Sequence, residues 1–253
     1  MGRKITKDEL IEHKNAALQK LSNYIDTLIN DSNPIVQSKA DKLSYWLEDW
    51  TTFIDFESQF SPRSLRRYKR GEVIKAHLGY NVGSEEGGLH YCIVIDKKNS
   101  INSPVVTIIP LTSVKETTDL ANLHVGNIYL GNELFTNLSS KISFTVKALN
   151  TRLEEAKAKF DNNKNGLKES QILGLLNDIR MAKREIDLLN KMRWEISKMK
   201  KGSIALVNQI RTISKIRIYD PKTNWDILSG VKLSTEKLDL IDKEIFRNFT
   251  NKK

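Results

Sequence analysis

The fold is decided by the stretch Gly71–Ser113, which reads GEVIKAHLGYNVGSEEGGLHYCIVIDKKNSINSPVVTIIPLTS. Within it, Tyr91–Ile95 and Val105–Leu111 are short apolar runs rich in β-branched residues, a pattern typical of buried strands. Glycine tolerates positive φ and close backbone approach, so a glycine cluster between two apolar runs predicts an irregular loop. The cluster consists of Gly79, Gly83, Gly87 and Gly88. The stretch therefore predicts strand, glycine-rich loop, strand, turn and strand.

The strand pattern continues further along the chain. Leu123–Leu130 predicts a fourth strand, and apolar residues alternate again from Ile204 to Gln209. Ile213–Ile218 predicts another strand with basic residues on its polar face. Trp225–Leu233 predicts a short hairpin.

Two helices are predicted before the first strand. Thr6–Ile29 has apolar residues at a spacing near 3.6 and starts with a sequence resembling a capping box. Asn33 and Pro34 suit the start of a second helix, which runs to about Phe56. The apolar face of the second helix carries three aromatic residues and needs a partner surface. Two interpretations remain open: the α-hairpin packs on the strands, or it serves in oligomerisation or as an inhibitory segment.

The pattern after residue 131 is helical. Apolar residues recur at alternating steps of three and four over Val146–Phe160 and again over Ile172–Ile196, and Asp161–Gly166 is a turn signal. These narrow seams predict an antiparallel coiled-coil hairpin inserted between strands. We expect such a hairpin to fold largely against itself, so that its removal would leave the strands folded. A last amphipathic helix is predicted over Ser234–Phe249.

Composition limits the classes of function. The chain has 253 residues, 39% of them apolar, a formal net charge of +10 and a pI near 9.5. This charge favours a polyanionic partner such as nucleic acid. The single cysteine, Cys92, excludes an intrachain disulfide and a cysteine-rich metal site. Because the sequence shows no secretory signal and no apolar run of the ~20 residues that span a bilayer, we expect a cytoplasmic protein without membrane association.

A basic connector, Ser61–Arg70, precedes the first strand. It contains five cationic side chains and one aromatic ring, Tyr68, a combination that suits single-stranded RNA. A solvated linker is the alternative interpretation. The candidate RNA contacts in this segment are Arg66, Arg67 and Arg70.

Three segments together carry a family resemblance. They are Gly83-Ser84-Glu85-Glu86-Gly87-Gly88, the strand end Pro110-Leu111-Thr112-Ser113, and the segment Asn208–Ile218. In this order, on predicted strands and loops, they resemble the MazF/PemK family of toxin endoribonucleases of type II toxin–antitoxin systems. The resemblance covers Gly71–Leu130 and Lys201 to about Phe249.

The resemblance implies an α+β fold around a small SH3-like β-barrel. The barrel with a C-terminal helix would comprise residues 61–130 and 201–253. The helical hairpin of residues 1–60 would precede it, and the coiled-coil hairpin of residues 131–200 would be inserted into it.

The resemblance also implies a function and partners. Family members cut single-stranded RNA, mRNA in particular, without metal or other cofactor, and the ribose 2′-OH is the nucleophile. A homodimer and a protein antitoxin are the implied partners. Two rival interpretations are a non-catalytic toxin of this fold that blocks DNA gyrase by contact, and a nucleic-acid-binding module that has lost catalysis.

The implied catalytic residues are His90 and Thr112. Much of the family has arginine followed by proline where this chain has His90 and Tyr91. Imidazole can accept or donate a proton near neutral pH, whereas arginine cannot accept one. His90 is therefore the candidate general acid or base, or phosphate-binding group, and a structural histidine is the alternative. Thr112 matches the family's threonine and could donate to a phosphoryl oxygen.

Further substrate contacts are implied by position. Ser84 and Glu85 match the loop that lies over the RNA, and Ser113 follows the catalytic threonine. Gln209 and Arg211 match the Gln-Ile-Arg segment, where Arg211 could contact a phosphate with two hydrogen bonds or pair with a carboxylate across a dimer interface. The four histidines are scattered without the spacing of metal ligands. They are His13, His77, His90 and His124.

Overall fold

The computed structural model describes residues 5–161, 166 and 169–251. The chain divides into two compact units. The first comprises the chain up to Phe60 together with Gly79–Gly88, and the second comprises Ser61–Leu78 and the chain from Leu89 onward. The predicted turn Asp161–Gly166 lies mostly outside the described residues.

The first unit contains the predicted α-hairpin. Helix α1 spans Lys7–Ile29, and the Thr6 hydroxyl accepts a hydrogen bond from the Glu9 amide while the Glu9 carboxylate accepts one from the Thr6 amide, which confirms the capping box. Helix α2 spans Pro34–Glu57, with Asn33 as its N-cap. The two helices pack together, and their buried residues are Leu28, Ala40 and Leu43.

The glycine-rich loop also belongs to the first unit. The Gly88 amide donates to the Gly79 carbonyl at 2.8 Å, and the Asn81 side chain donates to the Glu86 carbonyl at 2.6 Å. A side chain on Gly87 would meet the Gly79 carbonyl oxygen at 2.7 Å, so this position needs glycine. The loop thus closes on itself through its own backbone.

The second unit is built on an antiparallel sheet. Within the described residues, seven strands form it in the order β4-β5-β3-β2-β1-β7, with β6 paired to β3. No pairing among these residues joins β4 to β7, so the sheet is not closed, and the predicted SH3-like barrel is not confirmed. The strands are β1 Val73–His77, β2 Leu89–Val94, β3 Val105–Ser113, β4 Asn127–Gly131, β5 Ser203–Leu206, β6 Arg211–Ser214 and β7 Ile218–Asp220.

Strand β3 connects the two halves of the sheet. Its first half pairs with β6 over Val105–Ile108 and its last residues pair with β5 over Leu111–Ser113. Pro110, expected near the end of this strand, lies inside it, where β3 changes from one partner to the other. A proline has no amide to donate to a ladder, and it is tolerated here because it lies outside the registers of both β6 and β5.

Four strand predictions differ from the structure. In the run Ile204–Gln209, the strand ends at Leu206 and Val207–Gln209 forms a 3-10 turn. Ile213–Ile218 is interrupted by a 3-10 turn over Lys215–Arg217, because the Ser214 hydroxyl accepts from the Ile216 amide and the buried Lys215 ammonium donates to the Ser100 carbonyl at 3.0 Å. The other two differences are that β4 starts only at Asn127, and that Trp225–Leu233 forms turns with one bridge, Glu72 to Lys232, instead of a hairpin.

Three helices complete the second unit: α3 over Glu133–Asp161, α4 over Glu169–Lys198 and α5 over Thr235–Phe249. The antiparallel arrangement of α3 and α4 is shown by two ion pairs, Arg152 to Glu185 at 2.6 Å and Lys159 to Asp178 at 3.8 Å. Ser234 caps α5 as predicted. None of the helices in the described ranges has the length and apolar character needed to cross a bilayer.

The predicted self-contained hairpin is wrong in one respect, because its base belongs to the core of the sheet. Leu138 of α3 and Leu189 and Met192 of α4 lie in one buried cluster with Val73 and Ile93 of the sheet. The predicted seam of α4 is borne out at its C-terminal end, where Leu189 is buried and Ile196 packs against the core. Three other seam residues, Ile172, Ile179 and Ile186, are exposed, and the seam did not include the buried Glu185, Met192 and Glu195.

Candidate active site

A cavity of about 410 Å³ lies in the second unit, where the ends of β1, β2 and β3 meet the C-terminal end of α4. It contains both predicted catalytic residues, His90 and Thr112, together with Ser113. The other polar and aromatic side chains of its lining are Lys75, Tyr91, Trp194, Glu195, Lys198, Lys200 and Ser203. Residues far apart in sequence are therefore brought to one opening.

The pairing of β2 with β3 brings His90 and Thr112 together. Cys92 pairs with Pro110, so two residues further along this antiparallel register His90 is level with Thr112. The His90 Nδ1 lies 3.1 Å from the Leu111 carbonyl oxygen. A carbonyl can only accept, so this contact requires a proton on Nδ1, and neutral His90 then has its lone pair on Nε2. The ring is thereby oriented as a proton acceptor through Nε2.

A buried carboxylate forms the opposite wall of the cavity. Glu195 of α4 accepts a hydrogen bond from Lys75 Nζ at 2.5 Å and another from the Tyr91 hydroxyl. Lys75 Nζ also lies 5.3 Å from the centre of the Tyr91 ring. Burial, and then the hydrogen bond to Glu195, raise the pKa of Tyr91. Tyr91 therefore stays protonated at neutral pH and donates to Glu195.

Sequence reasoning missed Lys75, Tyr91, Trp194, Glu195 and Lys198 as members of this site. Lys75 and Tyr91 had a usable signal, because both are polar residues on strands whose neighbours are apolar. The residues of α4 had no comparable signal. Their approach to the strands depends on which face of α4 packs on the sheet.

Gln209 and Arg211 lie outside the lining of this cavity. The Arg211 guanidinium donates a hydrogen bond to the Gln209 side-chain oxygen at 3.2 Å. In the sheet, Arg211 is paired with Ile108, in the first half of β3. Burial and the charge of Arg211 both lower the pKa of Arg217, whose Nε donates to the His77 carbonyl at 2.8 Å. Arg211 thus belongs to a basic pair on β6 and the turn after it.

Ser84 and Glu85 are exposed residues of the first unit. They lie on the closed glycine-rich loop described above. Their predicted role over the RNA stays a prediction.

The basic connector is more structural than predicted. Tyr68 is only 1% exposed and donates to the Pro221 carbonyl at 2.8 Å, so its ring cannot stack on RNA, which corrects that expectation. Arg66 pairs with Glu72 at 2.9 Å, and Arg70 contacts Asp242 and the Ile95 carbonyl. Arg67 is exposed. Of the three arginines predicted to contact RNA, Arg67 is the one whose side chain points into solvent.

Within residues 5–161, 166 and 169–251, no group of three or more histidine, cysteine, aspartate or glutamate side chains is arranged to hold an ion. Cys92 is buried in β2, and its thiol donates to the His90 carbonyl at 3.6 Å.

Comparison with known proteins shows what the site-bearing segment is similar to. Residues 69–173 match the family model of PemK-like, MazF-like toxins of type II toxin–antitoxin systems. The match confirms the resemblance and includes His90 and Thr112. It extends through α3, which the resemblance was not expected to cover, and it does not include residues 201–249, which were. No curated protein matches the chain.

Proposed function

We propose that the protein is a metal-independent endoribonuclease that cleaves single-stranded RNA, mRNA in particular, as the toxin of a type II toxin–antitoxin pair. The observation that carries this proposal is the shared cavity of His90 and Thr112 within the segment that matches the toxin family. The net charge of +10 supports a polyanionic substrate.

The cavity offers a group for each step of 2′-OH transesterification. His90 Nε2 takes the proton of the ribose 2′-OH as its oxygen attacks the phosphorus. The Thr112 hydroxyl donates to a non-bridging oxygen of the crowded phosphorane. The Lys75 ammonium, held by Glu195, is the donor that we assign to the leaving 5′ oxygen. The products are a 2′,3′-cyclic phosphate and a free 5′-hydroxyl.

The partners follow from the family. We propose a protein antitoxin, which the match to toxins of type II toxin–antitoxin systems supports, and a homodimer, which the sequence resemblance implies. We also propose a cytoplasmic location, because mRNA is the proposed substrate. We also propose that the sheet is this chain's form of the family's SH3-like barrel.

The direct test is incubation of the purified protein with a long mixed-sequence RNA in excess EDTA. We expect cleavage, and we expect mass spectrometry to find 2′,3′-cyclic phosphate ends. A substrate with a single 2′-deoxy nucleotide at the cut site is the matched control and should resist cleavage at that site.

Two results would contradict the proposal. Cleavage of the 2′-deoxy control would exclude the 2′-OH mechanism. Intact RNA after incubation with the folded protein would favour the non-catalytic alternative, in which His90 in place of arginine marks a toxin or nucleic-acid-binding module that acts by contact.

A further inference from the structure

The C-terminal end of α4 presents an aromatic ring and cations to the candidate active site. Trp194, Lys198 and Lys200 all line the cavity that contains His90 and Thr112. Sequence resemblance implies nothing for these residues, because they lie beyond residue 173, where the family match ends.

The Trp194 ring is accessible even though it lines a cavity. Its side chain is 57% exposed, which is unusual for the largest apolar side chain. Lys198 Nζ lies 3.5 Å from the centre of the ring, one helical turn further along α4. A cation covers one face of an indole, so the exposed remainder of the ring is open to a second planar group.

The helical turn that carries this ring is anchored by the next residue in the sequence. Glu195 is buried and bonded to Lys75 of β1 and Tyr91 of β2, which pins this turn of α4 to the two strands. Met192, on the preceding turn, lies fully within the core. Trp194 is therefore presented on a rigid support, as a stacking platform requires.

Charge at this end of the cavity suits a polyanion. Among the described residues of the lining, the acidic and lysine side chains are one glutamate and three lysines, and that glutamate is already paired with Lys75. Lys198 and Lys200 thus add positive charge beside the ring. An aromatic ring next to cations is the arrangement by which proteins bind single-stranded nucleic acid.

We propose that Trp194 and Lys198 form a nucleotide subsite, in which the indole stacks on a base of the RNA and the ammonium groups of Lys198 and Lys200 contact the phosphate next to that base. The subsite rests on the proposed function, since its ligand is a nucleotide of the RNA substrate next to the scissile bond. It makes the C-terminal end of α4 part of substrate recognition.

The test measures binding separately from cleavage. A short single-stranded RNA with 2′-O-methyl groups throughout cannot be cut by the proposed mechanism, and its affinity is followed by fluorescence anisotropy. Trp194→Ala should weaken binding about 10- to 100-fold, the range for loss of one base stack. Trp194→Phe should recover part of this loss. Trp225→Ala removes another exposed tryptophan of the same unit, one that does not line this cavity, and should bind as the wild type does.

A base deletion series locates the subsite. An abasic nucleotide is placed at each position of the same RNA in turn. At one position, the abasic substitution should weaken binding by the wild type but not by Trp194→Ala, because this variant has already lost the stack.

The phosphate contact is tested through the salt dependence of binding. Lys198→Gln should reduce the slope of log affinity against log salt by about 0.7. Lys183→Gln, at an exposed lysine of α4 outside the cavity, is the control.

The outcomes separate this proposal from the proposed function. If the wild type fails to cleave RNA, but Trp194→Ala weakens binding and removes the effect of the abasic substitution at one position, the subsite stands and the endoribonuclease proposal falls. If Trp194→Ala is folded and binds as tightly as the wild type, with the same response to every abasic position, the subsite is overturned whatever the cleavage assay shows. A wild type that neither binds nor cuts RNA overturns both.

Discussion

At the scale of single residues, His90 combines two constraints. The family match covers it, and its Nδ1 is held 3.1 Å from the Leu111 carbonyl, which leaves Nε2 as the acceptor in the neutral ring. Thr112 lies level with it on the adjacent strand. A neutral histidine held in this tautomer can accept a proton, whereas an arginine at the same position could only donate hydrogen bonds.

We therefore expect His90→Ala to reduce the single-turnover cleavage rate by about 10²- to 10⁴-fold, the contribution typical of a general base. Binding of uncleavable RNA should stay near the wild-type affinity. His124→Ala, at an exposed histidine outside the cavity, is the matched control. Wild-type rates in a folded His90→Ala variant would remove His90 from the mechanism. His90→Arg then separates its two possible roles: retained cleavage assigns phosphate binding, and lost cleavage assigns proton transfer.

At the scale of elements, α4 has two functions along its length. Its first half pairs with α3, as the ion pair of Asp178 with Lys159 shows, and Ile172 and Ile179 of this half are exposed. Its second half enters the core through Leu189 and Met192 and reaches the cavity through Glu195. The same helix thus connects the stability of the sheet to the candidate active site.

Two identical substitutions on α4 test this division. Leu189→Ala should lower the free energy of unfolding by about 2–5 kcal/mol, because Leu189 is 5% exposed within the core. Leu176→Ala, at a leucine of the same helix that is 54% exposed, should change it by less than about 0.5 kcal/mol. Urea denaturation measures both. If the two substitutions changed the free energy of unfolding equally, the second half of α4 would not belong to the core. Excision of the helical pair would then leave a folded sheet.

At the scale of the whole molecule, Lys141 ties α3 to the turn that follows β7. Its ammonium donates to the carbonyl oxygens of Asp226, Ile227 and Ser229 at 3.0, 2.8 and 2.7 Å. Burial lowers the pKa of Lys141 to about 8, although the nearby Asp220 opposes this shift. The folded protein therefore binds this proton less tightly than the unfolded chain does.

The consequence is a pH dependence of stability with a defined sign. Below about pH 8, Lys141 is protonated in both states and the folded state bears the full cost of burying the charge. Between pH 8 and the ordinary lysine pKa of about 10.4, the folded state loses the proton first, so this group's contribution to stability rises with pH.

We expect the free energy of unfolding of the wild type, relative to that of Lys141→Met, to increase between about pH 7.5 and about pH 9.5. Urea denaturation at a series of pH values gives the difference. Comparison of the two proteins cancels the titration of the other groups. A difference that is constant or falls with pH would show that Lys141 keeps its proton in the folded state.

The sequence by itself determined the elements whose signals are local. The capping box at Thr6 and the caps at Asn33 and Ser234 begin their helices as predicted, because a cap is made within a few residues of the chain. The strands of Gly71–Ser113 follow from apolar runs bounded by glycine and proline. The family resemblance, carried by contiguous motifs, also singled out His90 and Thr112, which line one cavity, and their catalytic role stays a prediction.

Tertiary structure alone decided which faces meet. The seam through Ile172, Ile179 and Ile186 satisfied the helical period, yet these residues are exposed, and the core takes in Met192 and Glu195 beside the seam residue Leu189. One large core removes more apolar surface from water than a narrow two-helix seam can. That choice of face brings Glu195 to Lys75 and Tyr91. The local period of a helix is the same for either face, so the walls of the cavity could not be predicted from the sequence.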